Sequence, residues 1–440
     1  MGNSSEREFI LEEPHPVVDM HEYARRDKTL HSCRDVLQII FKDYQGPVAI
    51  RLWNDEVVIG QEKATFSLVL RKAYPLKELL LSRNLNRLAE AHLCGDVDGE
   101  GDLEKVFDLI DYLQDKKFSL VERIKIFRLA SVITETNKTF QSSKKRSRRK
   151  SNSRESISHH YDVHNDFYSL FLDTEMVYSC AYFSSEDQSL ADAQRDKLDY
   201  ICRKLRLKEG QKLLDIGCGW GGLAFWAARH YGVEVHGITL SQEQYDFAVA
   251  RSKELGLDGQ VSFELRDYRD MDADEQYDRI VSVGMFEHIG IDNFPLYFRT
   301  VMRLLKPEGL FLNHGITNDT GWQDTPSTRF INKYIFPDGE LARVSDVTAA
   351  MEKESFEILD TEALRPHYAL TLRHWINKLE WNRKQAIDIA GEATYRLWLL
   401  YMAGSAHYFT LGSTGLYQIL ACKSRQPWSH PLRRKDLYRE

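Results

Sequence analysis

The chain is short of the features that assign a protein to a class at a glance. No stretch of about 18 uncharged apolar residues occurs, so nothing in it reads as a membrane span. The N-terminus, MGNSSEREFILEEPHPVVDM, has no basic region leading into an apolar run and is not a secretory signal. It begins Met-Gly, but Glu6 stands where a myristoylation motif needs Ser or Thr. Cysteine is sparse: Cys33, Cys94, Cys180, Cys202, Cys218 and Cys422 form no C-x-x-C pair, which argues against a zinc knuckle or disulfide framework. That usage fits a reduced, cytoplasmic protein. No His/Asp/Glu cluster has metal-ligand spacing, and adjacent His159 and His160 do not suffice, so no metal is expected. A formal net charge of −7 gives no global attraction to nucleic acid, and any electrostatic recognition must come from local patches.

What is present is enough apolar content for buried cores, 42% of residues, in a chain of 440 that suggests two or three domains. The clearest break is QSSKKRSRRKSNSR at 141–154, with seven basic residues, no acid and no large apolar side chain. Such a run cannot bury enough surface to offset its ordering entropy and reads as a linker. It is either a solvated hinge or a contact with anionic lipid headgroups, where each basic residue contributes about 1 kcal/mol. Before it, VAIRLWN and ATFSLVLR read as strands and GDLEKVFDLIDYL as a helix. After it, KLLDIG, VEVHGI, VSFEL, DRIVSV and GLFLNH are strand-length apolar runs with helical segments between several of them. This alternation predicts a parallel sheet covered on both faces. The region from about 370 to 411 is helical in pattern, and TGLYQILACK reads as a final strand.

The most informative segment is KLLDIGCGWGGLAFWAARHYG, in which an apolar strand runs through Asp215 into Gly217, Gly219 and Gly222 at G-x-G-x-x-G spacing, then a helix. Glycine there permits a sharp turn and close approach of a ligand to the backbone. The pattern alone also serves nicotinamide and flavin dinucleotides. A dinucleotide site usually ends its second strand in Asp or Glu; here that strand ends at Thr239, which weakens that reading. The opening Asp215-Ile-Gly-Cys-Gly-Trp-Gly resembles the first motif of S-adenosylmethionine methyltransferases.

Five segments then resemble, in order, the cyclopropane-fatty-acid synthases and the related mycolic acid methyltransferases: HYDVHNDFYSLFLDTEMVYSCAYF, LDIGCGWGGLAFWAARHYGVEVHGITLSQEQ, VGMFEHIG, RPHYALTLRHW and YRLWLLYMAGSAHYF. LAEAHLCGDVDGEGDL is similar to the N-terminal domain of the larger synthases. The resemblance implies an α/β fold, a class I S-adenosylmethionine methyltransferase with a Rossmann-like seven-stranded sheet whose last strand is antiparallel, and a small N-terminal accessory domain. It implies that Tyr178 and Ser179 contact the methionine end of the cofactor and that Gly217 and Gly219 line its backbone groove. Thr239, Leu240 and Gln244 would reach the ribose, and Tyr268 would cover the adenine.

The chemistry so implied is methylene transfer to the cis double bond of an unsaturated phospholipid acyl chain. Methyl transfer to an alkene generates a carbocation, so the site must exclude water and offer a base and electron-rich walls. The family meets the base requirement with a bicarbonate ion. Its ligands correspond to Cys180, Glu287, His314, the backbone of Ile316, and Tyr368. Each has a plainer reading: Cys180 as a small buried hydrophobe, Glu287 as a cap, His314 as a hydrogen-bonded core histidine, Tyr368 as packing. A proton on His314 or on the ion would balance the Glu287 carboxylate, and the residues leave that choice open. Tyr161, Phe167, Tyr168, Phe171, Tyr182 and Phe183 suit a greasy cavity, though most are ordinary core formers. His164 departs from the Gly or Ser of many relatives.

The expected organisation is a tail at 1–30, a lipid-docking accessory domain at 31–140, the basic linker at 141–155, the methyltransferase domain at 156–423 and a tail at 424–440. A homodimer associated peripherally with the inner leaflet of the membrane is implied by the larger relatives. A related acyl-chain methyltransferase that closes no ring, or a non-catalytic lipid-binding protein on the same scaffold, would share much of this pattern. Neutralising all seven basic residues of 141–154 is expected to weaken binding to anionic vesicles and to flatten its salt dependence, measured by co-sedimentation; unchanged affinity would leave the run as a hinge only.

Overall fold

The computed structural model describes residues 20–133 and 164–438 apart from 83, 273, 338 and 429, and of 20–26 the backbone alone. The basic run at 141–154, His159, His160 and Tyr161 lie outside these residues. The described chain divides into two compact units. The first runs to Ala91 and adds Asp96–Glu100 and the stretch from Asp108 to 133; the second holds His92–Gly95, Gly101–Phe107 and everything from 164 onward.

In the first unit, α1 (Met20–Ile40) precedes strands β1 (Val48–Leu52), β2 (Val57–Ile59) and β3 (Phe66–Leu70). Helices α2 (Tyr74–Ser82) and α3 (Asn86–Leu93), strand β4 (Val97–Gly101), and helices α4 (Val106–Asp115) and α5 (Leu120–Val132) follow. The sheet order is β2-β1-β3-β4, with β1 and β3 parallel at its centre. FSLVL of β3 is buried throughout, as a central strand must be when both faces are covered. Helix α1 runs across position 30, where the sequence suggested the end of a tail.

The second unit opens with α6 (Asn165–Ser169) and α7 (Leu190–Lys204), then alternates β5 (Lys212–Ile216), α8 (Gly222–Tyr231), β6 (Glu234–Thr239), α9 (Gln242–Glu254), β7 (Val261–Leu265) and β8 (Tyr277–Val283). Helix α10 (Phe294–Leu304), β9 (Leu305–Asn318), α11 (Pro326–Tyr334), α12 (Val344–Lys353) and β10 (Phe356–Ala363) come next. Helices α13 (Arg365–Trp381), α14 (Arg383–Ala390) and α15 (Glu392–Leu411) and strand β11 (Thr414–Lys423) complete it. The seven strands lie in the order β10-β11-β9-β8-β5-β6-β7. The β5–β6, β5–β8, β6–β7 and β8–β9 pairs are parallel, and β11 is antiparallel to both β9 and β10. The strand order reverses at β5, where one neighbour chain of strands leads to β7 and the other to β9; a ligand crevice opens outside the strand ends at such a point.

All six strands expected in this unit are present; β10 is the one the apolar pattern did not reveal. FEILDTEA carries Glu357, Asp360 and Glu362 and occupies a sheet edge, where charge is tolerated and protects against edge pairing. Two of these acids hold a buried cation: the Lys204 side chain, 0% exposed, reaches Asp360 at 3.4 Å and contacts Glu362. The chain after β11 packs back on the same region, with Leu437 buried, Arg206 paired to Asp436 at 2.7 Å and Arg434 paired to Asp360. Lys204→Met removes the cation from between two carboxylates and is expected to cost about 3–5 kcal/mol in urea denaturation. Adding Glu362→Gln should recover part of that loss, whereas an unshifted midpoint in the single variant would show the cluster to be energetically neutral.

Candidate active site

The site forms where β5, β6, β8 and β9 end, because their apolar runs stop there and polar residues begin. Strand β5 brings Asp215 to this edge, level with Gly237 of β6 and Val281 of β8. Gly217 and Gly219 follow with φ of 81° and 57°, values that favour glycine. The N–H groups of Gly217 and Cys218 both donate to Ile238 O, at 2.9 and 3.0 Å, which folds the turn over the end of β6. Gly222, at the first turn of α8, is needed for closeness: a Cβ there would lie 2.5 Å from Glu175 O, on the loop that carries Tyr178 and Ser179.

A pocket opens over this edge. Its lining includes Tyr178, Ser179, Asp215, Gly217, Gly219, Gly222, Thr239, Leu240, Gln244 and Tyr268, so all ten residues expected to bind cofactor are brought together. Thr239 donates to Gln244 Oε1 at 2.9 Å, which fixes the glutamine and turns its amide NH₂ away from the threonine. Tyr268 is largely buried, packs edge-on against Tyr297 at 5.3 Å, and is held in place from below. Gln194 of α7 fixes the opposite wall by donating to Ser179 O at 2.9 Å and Val177 O at 3.3 Å. The pocket also contains residues that the sequence did not single out, among them Lys197, Arg266, Arg269, His288 and Asn293. Lys197 had no visible signal, since LADAQRDKLDYICRK reads as an ordinary amphipathic helix.

None of the five expected bicarbonate ligands lines this pocket, but chain neighbours of two of them do: Ser179 precedes Cys180, and His288 follows Glu287. The Ile316 N–H, expected to face an ion, donates to Glu287 Oε1 at 2.9 Å. Gly315, between His314 and Ile316, allows this approach, since a Cβ there would fall 2.8 Å from Glu287 Oε2 and 2.1 Å from the Phe286 ring. Ile316 packs against the apolar cluster that contains Cys180, Leu364 and Tyr368. The Cys180 thiol donates to Ala181 O at 3.1 Å and lies 4.0 Å from Leu364 O. Tyr368 is buried with its ring 4.7 Å from that of Phe409. Glu287 and Ile316 thus meet beside His314 on β9, and Cys180 reaches the Leu364 carbonyl at the start of α13, in the cluster that also holds Tyr368.

Burial sets the charge states. Desolvation raises Glu287 to about 7, against the pull of the Ile316 N–H. Burial drives His314 well below its ordinary range and His288 down to about 4, and it pushes the Cys180 thiol up, so all three are neutral. Gln418 Nε2 faces His314 Nδ1 at 3.1 Å; an amide nitrogen only donates, so Nδ1 accepts and the ring proton sits on Nε2. His314 Nε2 and Glu287 Oε2 are buried and have no hydrogen-bond partner among the described residues. Tyr401, also missed in the sequence, is buried beside Glu287 with its hydroxyl against those of Tyr178 and Ser405, and desolvation raises it to about 12.

An aromatic wall closes the site. Tyr178 stacks on Trp375 of α13 at 5.1 Å and meets Tyr168 at 5.6 Å and Trp398 of α15 at 5.9 Å. Phe167, Tyr168 and Phe171 are fully buried core residues, and Tyr182 stacks on His367 at 4.8 Å. His164 is exposed and caps α6, accepting the Asp166 N–H at 3.3 Å.

A buried carboxyl that holds its proton near neutrality is directly observable. The infrared spectrum between about pH 6 and about pH 8 should lose protonated-carboxyl absorbance as Glu287 ionises. Glu287→Gln should remove its share of that change, leaving the share of Asp215, which burial also raises to about 7. An identical difference spectrum in the variant would place the Glu287 titration elsewhere.

Comparison with known proteins agrees with this geometry. The family described as mycolic acid cyclopropane synthetase matches residues 148–419. A Pseudomonas putida protein named as a probable fatty acid methyltransferase is 40% identical over 399 residues, covering 89% of this chain and 96% of that protein. The cyclopropane-fatty-acyl-phospholipid synthase of Escherichia coli K12 is 42% identical over 261 residues, 59% of this chain and 66% of that one. A crystal structure of a mycolic acid cyclopropane synthase complexed with S-adenosylhomocysteine and CTAB superposes with a TM-score of 0.58 at 34% identity, over 61% of this chain and 97% of the other. The chain therefore belongs to the mycolic acid cyclopropane synthetase family, within the S-adenosylmethionine-dependent methyltransferases.

Proposed function

We propose that this protein adds a methylene bridge across the cis double bond of an unsaturated fatty acyl chain carried by a membrane phospholipid. The observation that carries this reading is the pair of buried, unpartnered polar atoms, Glu287 Oε2 and His314 Nε2, beside the cofactor pocket: Glu287 precedes His288 and His314 pairs across the sheet with Val283, both of which line it. S-Adenosylmethionine, when bound, supplies an electrophilic sulfonium methyl group. The alkene gains that methyl and becomes a carbocation; the new methyl then loses a proton, and its C–H electron pair closes the ring. Water would capture the cation as an alcohol, so the site has to be dry. The aromatic faces of Tyr178, Trp375 and Trp398 suit a positive charge.

The proton needs an acceptor, and none of the nearby side chains is a free base: His314 is engaged through Nδ1, Glu287 holds its own proton up to about 7, and Cys180 stays a thiol. Glu287, His314, Cys180 and Tyr368 would hold a bicarbonate ion, joined by the Ile316 N–H only once Glu287 Oε1 releases it; the ion would supply a proton acceptor of moderate basicity. The fit rests on the two orphaned atoms, since a protonated Glu287 and the His314 Nε2–H are both donors suited to one small oxyanion.

Contact with a lipid surface is supported in the first unit. Helix α5 exposes Leu120, Val121, Ile124 and Phe127, the first 74% and the last 65% exposed, with Arg123, Lys125 and Arg128 exposed beside them. An apolar stripe edged by basic residues is the pattern of a helix lying in a membrane interface. No described helix is long and apolar enough to cross a membrane.

A second reading is favoured by the Pseudomonas putida relative, named for fatty acid methylation: the same carbocation gives a methylated alkene by losing the proton of the carbon that took the methyl, or a methylene branch when a 1,2-hydride shift moves the charge to that carbon before a methyl proton is lost. Methyl-labelled S-adenosylmethionine and vesicles of monounsaturated phospholipid separate the two. High-field ring-proton signals in the product's NMR spectrum are expected. Olefinic methylene signals would transfer the protein to the branching reaction, and unlabelled lipid would overturn the phospholipid assignment.

A further inference from the structure

Helix α7 carries a lysine in an unusual place. Lys197 is 1% exposed, yet it lines the pocket together with Ser179 and Asp215. Its Nζ donates to Ser179 Oγ at 2.8 Å. Among the described residues no carboxylate forms an ion pair with it, and the neutral Ser179 hydroxyl is the one hydrogen-bond partner for its three N–H groups. Burial of such an ammonium is costly. Desolvation pulls Lys197 down to about 8, against the fields of Asp173, Cys180 and Asp215. A buried cation of this kind is understandable where a ligand brings the missing negative charge.

The other cations of the pocket are already occupied. Arg266 pairs with Glu264, Asp272 and Glu275, and Arg269 with Asp267, all beside Tyr268. Lys197 stands at the Ser179 end, with Asp215 as the acid of the same pocket that, unlike Asp267, pairs with no arginine among the described residues. One buried cation and one buried acid around a hydroxyl form a set complementary to an α-amino acid head, which carries one carboxylate and one ammonium.

We propose that Lys197 is the carboxylate-binding residue of the S-adenosylmethionine site, oriented by Ser179 and balanced by Asp215 on the side of the α-ammonium. The proposal rests on the cofactor reading of this pocket and adds to it a specificity: the chain selects ligands by the carboxylate, not by the nucleoside alone. The product S-adenosylhomocysteine keeps that carboxylate and would be held by the same contact.

Isothermal titration calorimetry of the full-length protein tests this with three ligands: S-adenosylhomocysteine, its decarboxylated analogue, and 5′-methylthioadenosine, which lacks the amino acid head. Lys197→Met is expected to weaken S-adenosylhomocysteine about 10- to 100-fold, as for a lost charge-assisted hydrogen bond, and to change 5′-methylthioadenosine by less than about threefold. The unmodified protein should disfavour the decarboxylated analogue by a similar factor, a measurement that needs no variant to fold. Lys197→Met should erase that preference. A parallel loss for all three ligands would reduce Lys197 to a structural role and overturn the proposal, as would equal affinity of the unmodified protein for ligands with and without the carboxylate. Failure of the unmodified protein to bind any of the three would instead overturn the cofactor reading.

Discussion

The organisation of this site depends on one constraint: ionisable groups are held where water does not reach them. Asp215, Glu287, His314 and Lys197 are buried at or beside the ends of strands that are buried on both faces, with half-buried His288 next to them. In each of them burial favours the uncharged form, raising the acids and lowering the bases. A solvated site would leave the carboxylates charged and would quench a carbocation. The same dryness that permits the proposed chemistry therefore sets the protonation states with which the site meets its ligands.

Dryness is produced by the part of the chain that looks least like a cofactor-binding fold. Helices α13 and α15 supply Trp375, Trp398 and Tyr401, and these close over the loop that carries Tyr178 to Cys180. That loop is pinned from several sides. Ala181 N–H donates to Thr371 Oγ1 at 3.0 Å, Phe183 N–H to His367 Nδ1 at 3.0 Å, and Gln194 holds the carbonyls of Val177 and Ser179. Glycine at 222 lets α8 approach the same loop. The pocket wall is thus built by tertiary contacts between segments far apart in sequence, which fixes its residues without requiring a local motif.

That division explains what could be read from the residues. Strands β5, β6, β8 and β9 were legible because central parallel strands run apolar, and β7, at the opposite edge, because the residues of VSFEL alternate apolar and polar; β10 was not, because an edge strand with three acids breaks the pattern. The glycine turn was legible because backbone conformation restricts residue choice, as the positive φ values at 217 and 219 require. The ten expected cofactor contacts came from the resemblance of short motifs, and all ten line one pocket. Lys197 was invisible for a physical reason. A lysine on an amphipathic helix is ordinarily solvated, and only the packing of α7 under the Ser179 loop shows that this one is not. The proton balance beside Glu287 was open for the same reason, since burial is a tertiary property.

Burial bears on that balance and on the proposed chemistry. With the ring proton of His314 on Nε2, and below about pH 7 where Glu287 keeps its proton, the site around β9 is neutral and presents donors. An anion entering it adds a single negative charge, stabilised by those donors and by the low dielectric around them. A charged Glu287 would repel the same anion at close range, and a charged His314 would bind it so firmly as to weaken it as a proton acceptor. A neutral donor set avoids both. It would admit an oxyanion, leave its basicity largely intact, and place a net negative charge next to the position where a carbocation is proposed to form.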